Sequence, residues 1–110
     1  MRWPGRVRGM TDPILPPDEC TTMAEVRRGV DALDLVLVEM LSVRFGYMRA
    51  AARIKPERGQ VRDEARKAAV IGQAVAHAEA VGAPADVVGA LWEQLVEASI
   101  GYELARFDAR

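Results

Sequence analysis

The chain has one cysteine, Cys20, and one histidine, His77, in 110 residues. A single thiol excludes an internal disulfide framework, and the two residues together supply too few ligands for a structural zinc site, so no metal is expected. Aromatic residues make up only 5% of the sequence, and the apolar–polar alternation of half-buried strands is missing, which argues against β structure. No apolar run approaches the roughly 20 residues that a membrane-spanning helix needs; the stretch Leu35 to Val38 is closed off by Asp34 and Glu39. An excess of one charge is lacking too. Fifteen basic residues face sixteen acidic ones, for a net charge of −1, so there is no broad electrostatic footprint for nucleic acid or an anionic membrane, and neither is expected as a partner. Any anion site must be local.

What the sequence does contain is helix-forming residues, with Ala, Leu, Val, Glu and Arg dominant. Its length suits one small domain, for which oligomerisation would add appreciably to the buried core. Residues 1–19 hold Pro4, Pro13, Pro16 and Pro17 and no periodic pattern, so they read as a flexible arm before a helical domain at 20–110. Arg2, Arg6 and Arg8 are not followed by an apolar h-region, so no secretory signal is read and a cytoplasmic location is expected; Met10 is a second candidate start.

Thr22 and Glu25 have capping-box spacing and predict a first helix from Thr22 to about Lys55. At about 50 Å it is longer than a compact monomer of this size can cover, and Leu33, Leu35, Val36, Leu37 and Val38 make it apolar on more than one side. A second copy of the chain is expected against it. Pro56 to Gln60 break the pattern and predict a polar loop, suited to act as a lid. A second helix is predicted from near Asp63 to Gly82, and a third with Pro84 in its first turn and Val88, Trp92, Leu95, Val96, Ser99 and Glu103 on one stripe. The fold class is therefore all-α: one long and two shorter helices, expected to form an intertwined homodimeric bundle.

Arg44 and Lys55 lie eleven residues apart, about 16 Å or three turns, on the stripe that carries Leu33, Leu37, Met40, Met48 and Ala51. Cations on a core-facing stripe are costly unless an anion neutralises them, and no acidic residue shares the stripe between them. A bound dianion fits. Arg27 lies seventeen residues before Arg44, about 25 Å along the same helix, so the two cannot grip one small ligand unless Arg27 comes from another chain.

The segment Cys20 to Arg27 with Asp31 and Asp34, then Arg44 and Lys55, then Val61-Arg62-Asp63 to Arg66, then Glu97-Ala-Ser99-Ile-Gly-Tyr-Glu103 together resemble the AroQ-type, all-helical chorismate mutases and their isochorismate pyruvate lyase relatives. The similarity runs over roughly residues 17–107. It implies a homodimer with two sites, each completed by an arginine of the partner, acting on a small dicarboxylate, chorismate or isochorismate, with no cofactor. It further implies that Arg27, Arg44 and Arg66 hold carboxylates, that Asp63 and Ser99 line the substrate, and that Lys55 and Glu103 are catalytic at the ether oxygen that gains charge. Glutamine is common in the family where Glu103 stands. A carboxylate cannot donate there; burial on an apolar face favours the protonated form, which can, while Lys55 opposes it. Lys67 stands where typical mutases have a glutamate that contacts the ring hydroxyl.

Structural readings stand beside these. Arg27 and Arg66 would be surface residues paired with Asp31 and Asp63, Arg44 and Lys55 would snorkel from a coiled-coil edge, and Glu103 would pair with Lys55 or Arg106. Trp92, Met40 and Met48 read as core, and His77 as exposed. Ser99 favours a mutase, the Cys20 segment and Lys67 favour a lyase, and a non-catalytic helical dimer is the reading from another class.

Overall fold

In the computed structural model residues 14–110 are described. Among them are three α-helices, α1 (Met23–Ile54), α2 (Glu64–Val81) and α3 (Ala85–Asp108), with short 3-10 turns at Pro17–Glu19 and Arg58–Gln60, and no strand. The part of the predicted flexible arm at residues 1–13 lies outside the described residues; at 14–19, Ile14 is buried and packs on Ala32 and Val36.

Helix boundaries follow local chemistry. The Glu25 backbone N–H donates to the Thr22 hydroxyl at 3.2 Å while the Thr22 N–H donates to the Glu25 carboxylate at 3.0 Å, the reciprocal capping box expected from the spacing. The Thr21 N–H, donating to the same carboxylate at 3.0 Å, and then the Thr22 hydroxyl hold the Glu25 carboxyl below its ordinary pKa. Pro56 has no N–H to continue α1, which ends at Ile54. Asp63 caps α2 by accepting the Arg66 N–H at 3.0 Å. Gly82, at φ 76°, closes α2 in the left-handed region, and the Ala83 N–H reaches back to the Ala78 carbonyl at 2.8 Å. Pro84 is the N-cap of α3, one position outside the helical turn predicted for it.

The described residues form two compact units, one ending at Arg44 and the other Phe45–Arg110. In the first, Ile14, Ala32 and Val36 make the only buried apolar cluster among the described residues there. In the second, Val61, Val96 and Ile100 are buried with Val70, Ile71, Trp92, Leu104 and Phe107 against them, which seats the end of the α1–α2 loop on α3. Phe45 meets Tyr102 edge-to-face at 5.1 Å, and Arg49 donates to the Tyr102 hydroxyl at 2.9 Å.

The first helix corrects one expectation. Met40 was expected in the core and Leu37 on a core-facing stripe, yet they are 62% and 54% exposed. The reason is the spacing itself. Met23, Val26, Val30, Leu33, Leu37, Met40, Arg44, Tyr47, Ala51 and Ile54 recur at alternating steps of three and four, the spacing of a coiled-coil seam, most of whose apolar members are exposed and whose one charged member is Arg44.

Gly82→Ala is expected to destabilise the chain by about 1 kcal/mol, because a Cβ in the left-handed region is strained; urea unfolding of the two proteins side by side measures it.

Candidate active site

Lys55 is the first residue after α1, its N–H still bonded to the Ala51 carbonyl at 2.9 Å, so the helix end determines where its side chain starts. Its ammonium donates to Glu103 Oε2 at 2.7 Å. The two side chains differ in environment: Glu103 is only 6% exposed, whereas Lys55 is 31% exposed. A buried carboxylate thus anchors a cation that still reaches solvent. Of the partners foreseen for Glu103, the structure selects Lys55. Removing either group would leave the other poorly satisfied, and for the buried carboxylate that is the larger penalty.

Ser99 lies one turn before Glu103 on the same α3 face, buried, its hydroxyl donating to the Leu95 carbonyl at 2.7 Å. Beside Lys55 the loop forms an open groove lined by Lys55, Pro56, Gly59, Gln60, Arg62 and Asp63, among others. Asp63 is at its rim, and its carboxylate already caps α2. Arg66, in the first turn of α2, is exposed and makes no ion pair with Asp63. Within the second unit, then, Lys55 and Glu103 are in direct contact, with Ser99 a turn away and Asp63 and Arg66 at the head of α2.

The remaining predicted residues belong to the first unit. Arg27 is exposed on α1 and forms no ion pair with Asp31. Arg44 is partly buried, and desolvation lowers its pKa below the ordinary guanidinium value. His77 is exposed.

Lys67 is engaged by carboxylates of α3. Its ammonium donates to Glu93 at 2.7 Å and to Glu97 at 2.8 Å, while Arg62 grips Glu97 through both oxygens at 2.8 and 3.1 Å and Glu64 at 3.0 Å. This cluster ties the loop and α2 to α3. The two cations hold the Glu97 carboxyl down to about 2, chiefly through the Arg62 hydrogen bonds, and Glu93 and Glu97 in turn raise the Lys67 pKa. Sequence reasoning did not identify Arg62 and Glu97 as a pair; they are 35 residues apart, on different elements, with no local signal linking them.

Two comparisons with known proteins bear on this arrangement. The family model for chorismate mutase type II matches residues 26–104. The isochorismate pyruvate lyase of Pseudomonas aeruginosa is 32% identical over 80 residues, covering 73% of this chain and 79% of that protein.

The Glu97 cluster has a pH signature. A carboxyl whose folded pKa is depressed contributes stability that is present above its unfolded value and lost as pH falls toward the folded one. Stability is therefore expected to drop as pH is lowered from the ordinary carboxylate range toward 2, and Glu97→Gln to show a shallower decline over that window in thermal unfolding.

Proposed function

The chain belongs to the chorismate mutase type II family, and on that premise we propose that it rearranges chorismate to prephenate in a homodimer by clamping two carboxylates and stabilising the ether oxygen. The observation that carries this reading is the Lys55 ammonium held at 2.7 Å by the buried Glu103 beside an open groove, at the positions where the family's motif has its catalytic pair.

The reaction is pericyclic, so electrons move within the substrate and the protein's part is positioning and electrostatics. The extended dicarboxylate must be held in a compact, chair-like conformer. Arg44 and Arg66 of one chain and Arg27 of the other grip the carboxylates, with Asp63 and Ser99 lining the substrate. As the C–O bond breaks, negative charge grows on the ether oxygen, and Lys55 donates to it. Glu103, the second member of the catalytic pair, anchors Lys55 from behind and so aims it at that oxygen.

The dimer rests on the uncovered seam of α1, from Met23 at 58% exposed to Ile54 at 71%. A second copy, antiparallel, would cover it and bring Arg27 across the 25 Å or so that separates it from Arg44 on its own helix. No helix among the described residues is long and apolar enough to cross a membrane, and the reading places the enzyme in the cytoplasm.

A second reading has its own support. The relative from Pseudomonas aeruginosa is an isochorismate pyruvate lyase, and Lys67, bonded to Glu93 and Glu97, offers no carboxylate to a ring hydroxyl. A lyase would use the same clamps to eliminate pyruvate and leave salicylate. Purified protein supplied in parallel with chorismate and isochorismate separates the two: prephenate formation supports the mutase, and salicylate without prephenate overturns it. The intact set of cations argues against a non-catalytic dimer, which has no use for them.

Arg27→Ala and Arg44→Ala are each expected to fold yet lose about a hundredfold or more in rate. Mixed and allowed to exchange subunits, they should regain activity, since one of the two sites in each heterodimer receives both arginines; persistent inactivity after verified exchange would show that Arg27 does not act across the interface. Glu103→Gln keeps a donor at every pH. It is expected to retain substantial activity, whereas Glu103→Ala loses about a hundredfold in kcat/KM; equal activity in the Ala variant and the parent would remove Glu103 from the catalytic pair.

A further inference from the structure

The end of α1 has a defect built into its sequence. In a helix the carbonyl of Ala52 should accept the N–H of the residue four places on, but that residue is Pro56, which has none. Ala52 is only 2% exposed, so water is a poor substitute. The donor comes from the far end of the second unit. Arg110 reaches back so that Nη1 donates to the Ala52 carbonyl at 3.1 Å and to the Lys55 carbonyl at 2.7 Å, and Nη2 to the Pro56 carbonyl at 3.2 Å. Its guanidinium is held in that pose by the face of Phe107, 3.7 Å away. A cation at a helix C-terminus is also favoured by the helix dipole. One turn of loop later, Arg58 pairs with Asp108 through two hydrogen bonds at 2.8 and 3.2 Å.

We propose that Arg110 is a positioning residue for Lys55: it replaces the N–H that Pro56 lacks, fixes the backbone of residues 52–56, and so sets the ammonium against Glu103 for the reaction. The inference deepens the proposed function and rests on it for its catalytic part. Residues 108–110 and the α1–α2 loop form one latch, in which the C-terminal end of α3 and the two residues after it determine the geometry of the side chain that directly follows α1. Lysine at 110 would keep the charge but not the fork that spans three carbonyls.

Two readouts test this separately from the identity of the substrate. Hydrogen exchange on Arg110→Ala is expected to speed up at least about tenfold at residues 55–60, with the rest of α2 and α3 unchanged. Arg110→Lys should lie between it and the parent. Adding Pro56→Ala to Arg110→Ala restores an N–H for Ala52 and should recover part of the protection, and Arg53→Ala, which removes a nearby exposed charge bonded to none of these carbonyls, should change nothing. In turnover, Arg110→Ala is expected to lower kcat about tenfold or more with KM changed far less, because Lys55 acts on charge that develops only in the transition state. Unchanged exchange at 55–60, or exchange accelerated evenly over every helix, would overturn the latch. So would local loosening in a variant that turns over as fast as the parent. A parent inactive on both chorismate and isochorismate would instead overturn the proposed reaction and leave exchange alone to decide whether Arg110 holds the loop. Should Arg110→Ala fail to fold, Arg110→Lys carries the same comparison, with parent-like exchange at 55–60 counting against the latch.

Discussion

The candidate site depends on one ion pair, between an ammonium at the end of α1 and a carboxylate buried in α3. An isolated carboxylate with the exposure of Glu103 is expensive, so the fold must deliver a cation to it, and Lys55 meets it at 2.7 Å. Much of the second unit serves that encounter. Val61 wedges against Val96 and Ile100, and Phe45, Arg49 and Tyr102 tie α1 to α3. The Arg62–Glu97–Lys67 cluster fastens the head of α2, and Arg110 closes the gap that Pro56 leaves. Each contact alone is modest; their shared effect is to reduce the freedom of one lysine.

In the proposed reaction the same pair lets the site act without a nucleophile. A lysine in open solvent has four rotatable bonds and a strong hydration shell, and aligning it during the reaction costs free energy. With Glu103 behind it, the ammonium is oriented before substrate arrives. Preorganisation of this sort contributes most where charge is small in the ground state and large in the transition state. The proposed rearrangement has that property.

Lys67 shows what tertiary contacts add to a position on a helix: Glu93 and Glu97 of α3 hold its ammonium, in a network that also takes in Arg62 of the loop. The seam of α1 makes the complementary point. Its apolar residues look like core by type, yet most of them, Leu37, Met40 and Tyr47 included, prove exposed. Arg44, interrupting that seam, is the position at which the proposed pairing of helices and the proposed grip on an anion would coincide.

The sequence by itself determined where the helices begin and end. Thr22 with Glu25, Pro56, Asp63 and Gly82 act on backbone groups within about four residues, so their effect can be read without knowing the fold. The all-α class, the approximate bounds of all three helices and the charged character of the Arg44–Lys55 stretch followed from the same short-range rules. Only the tertiary structure decided which partner Glu103 takes, what Lys67 does, and that Arg110 closes the end of α1. Those pairings span 48, 30 and 58 residues and depend on how each helix is rotated about its axis, which spacing along one element cannot specify. The proline that leaves the Ala52 carbonyl without its usual donor was visible in the sequence; the arginine that answers it was not, because it lies 58 residues away on another element.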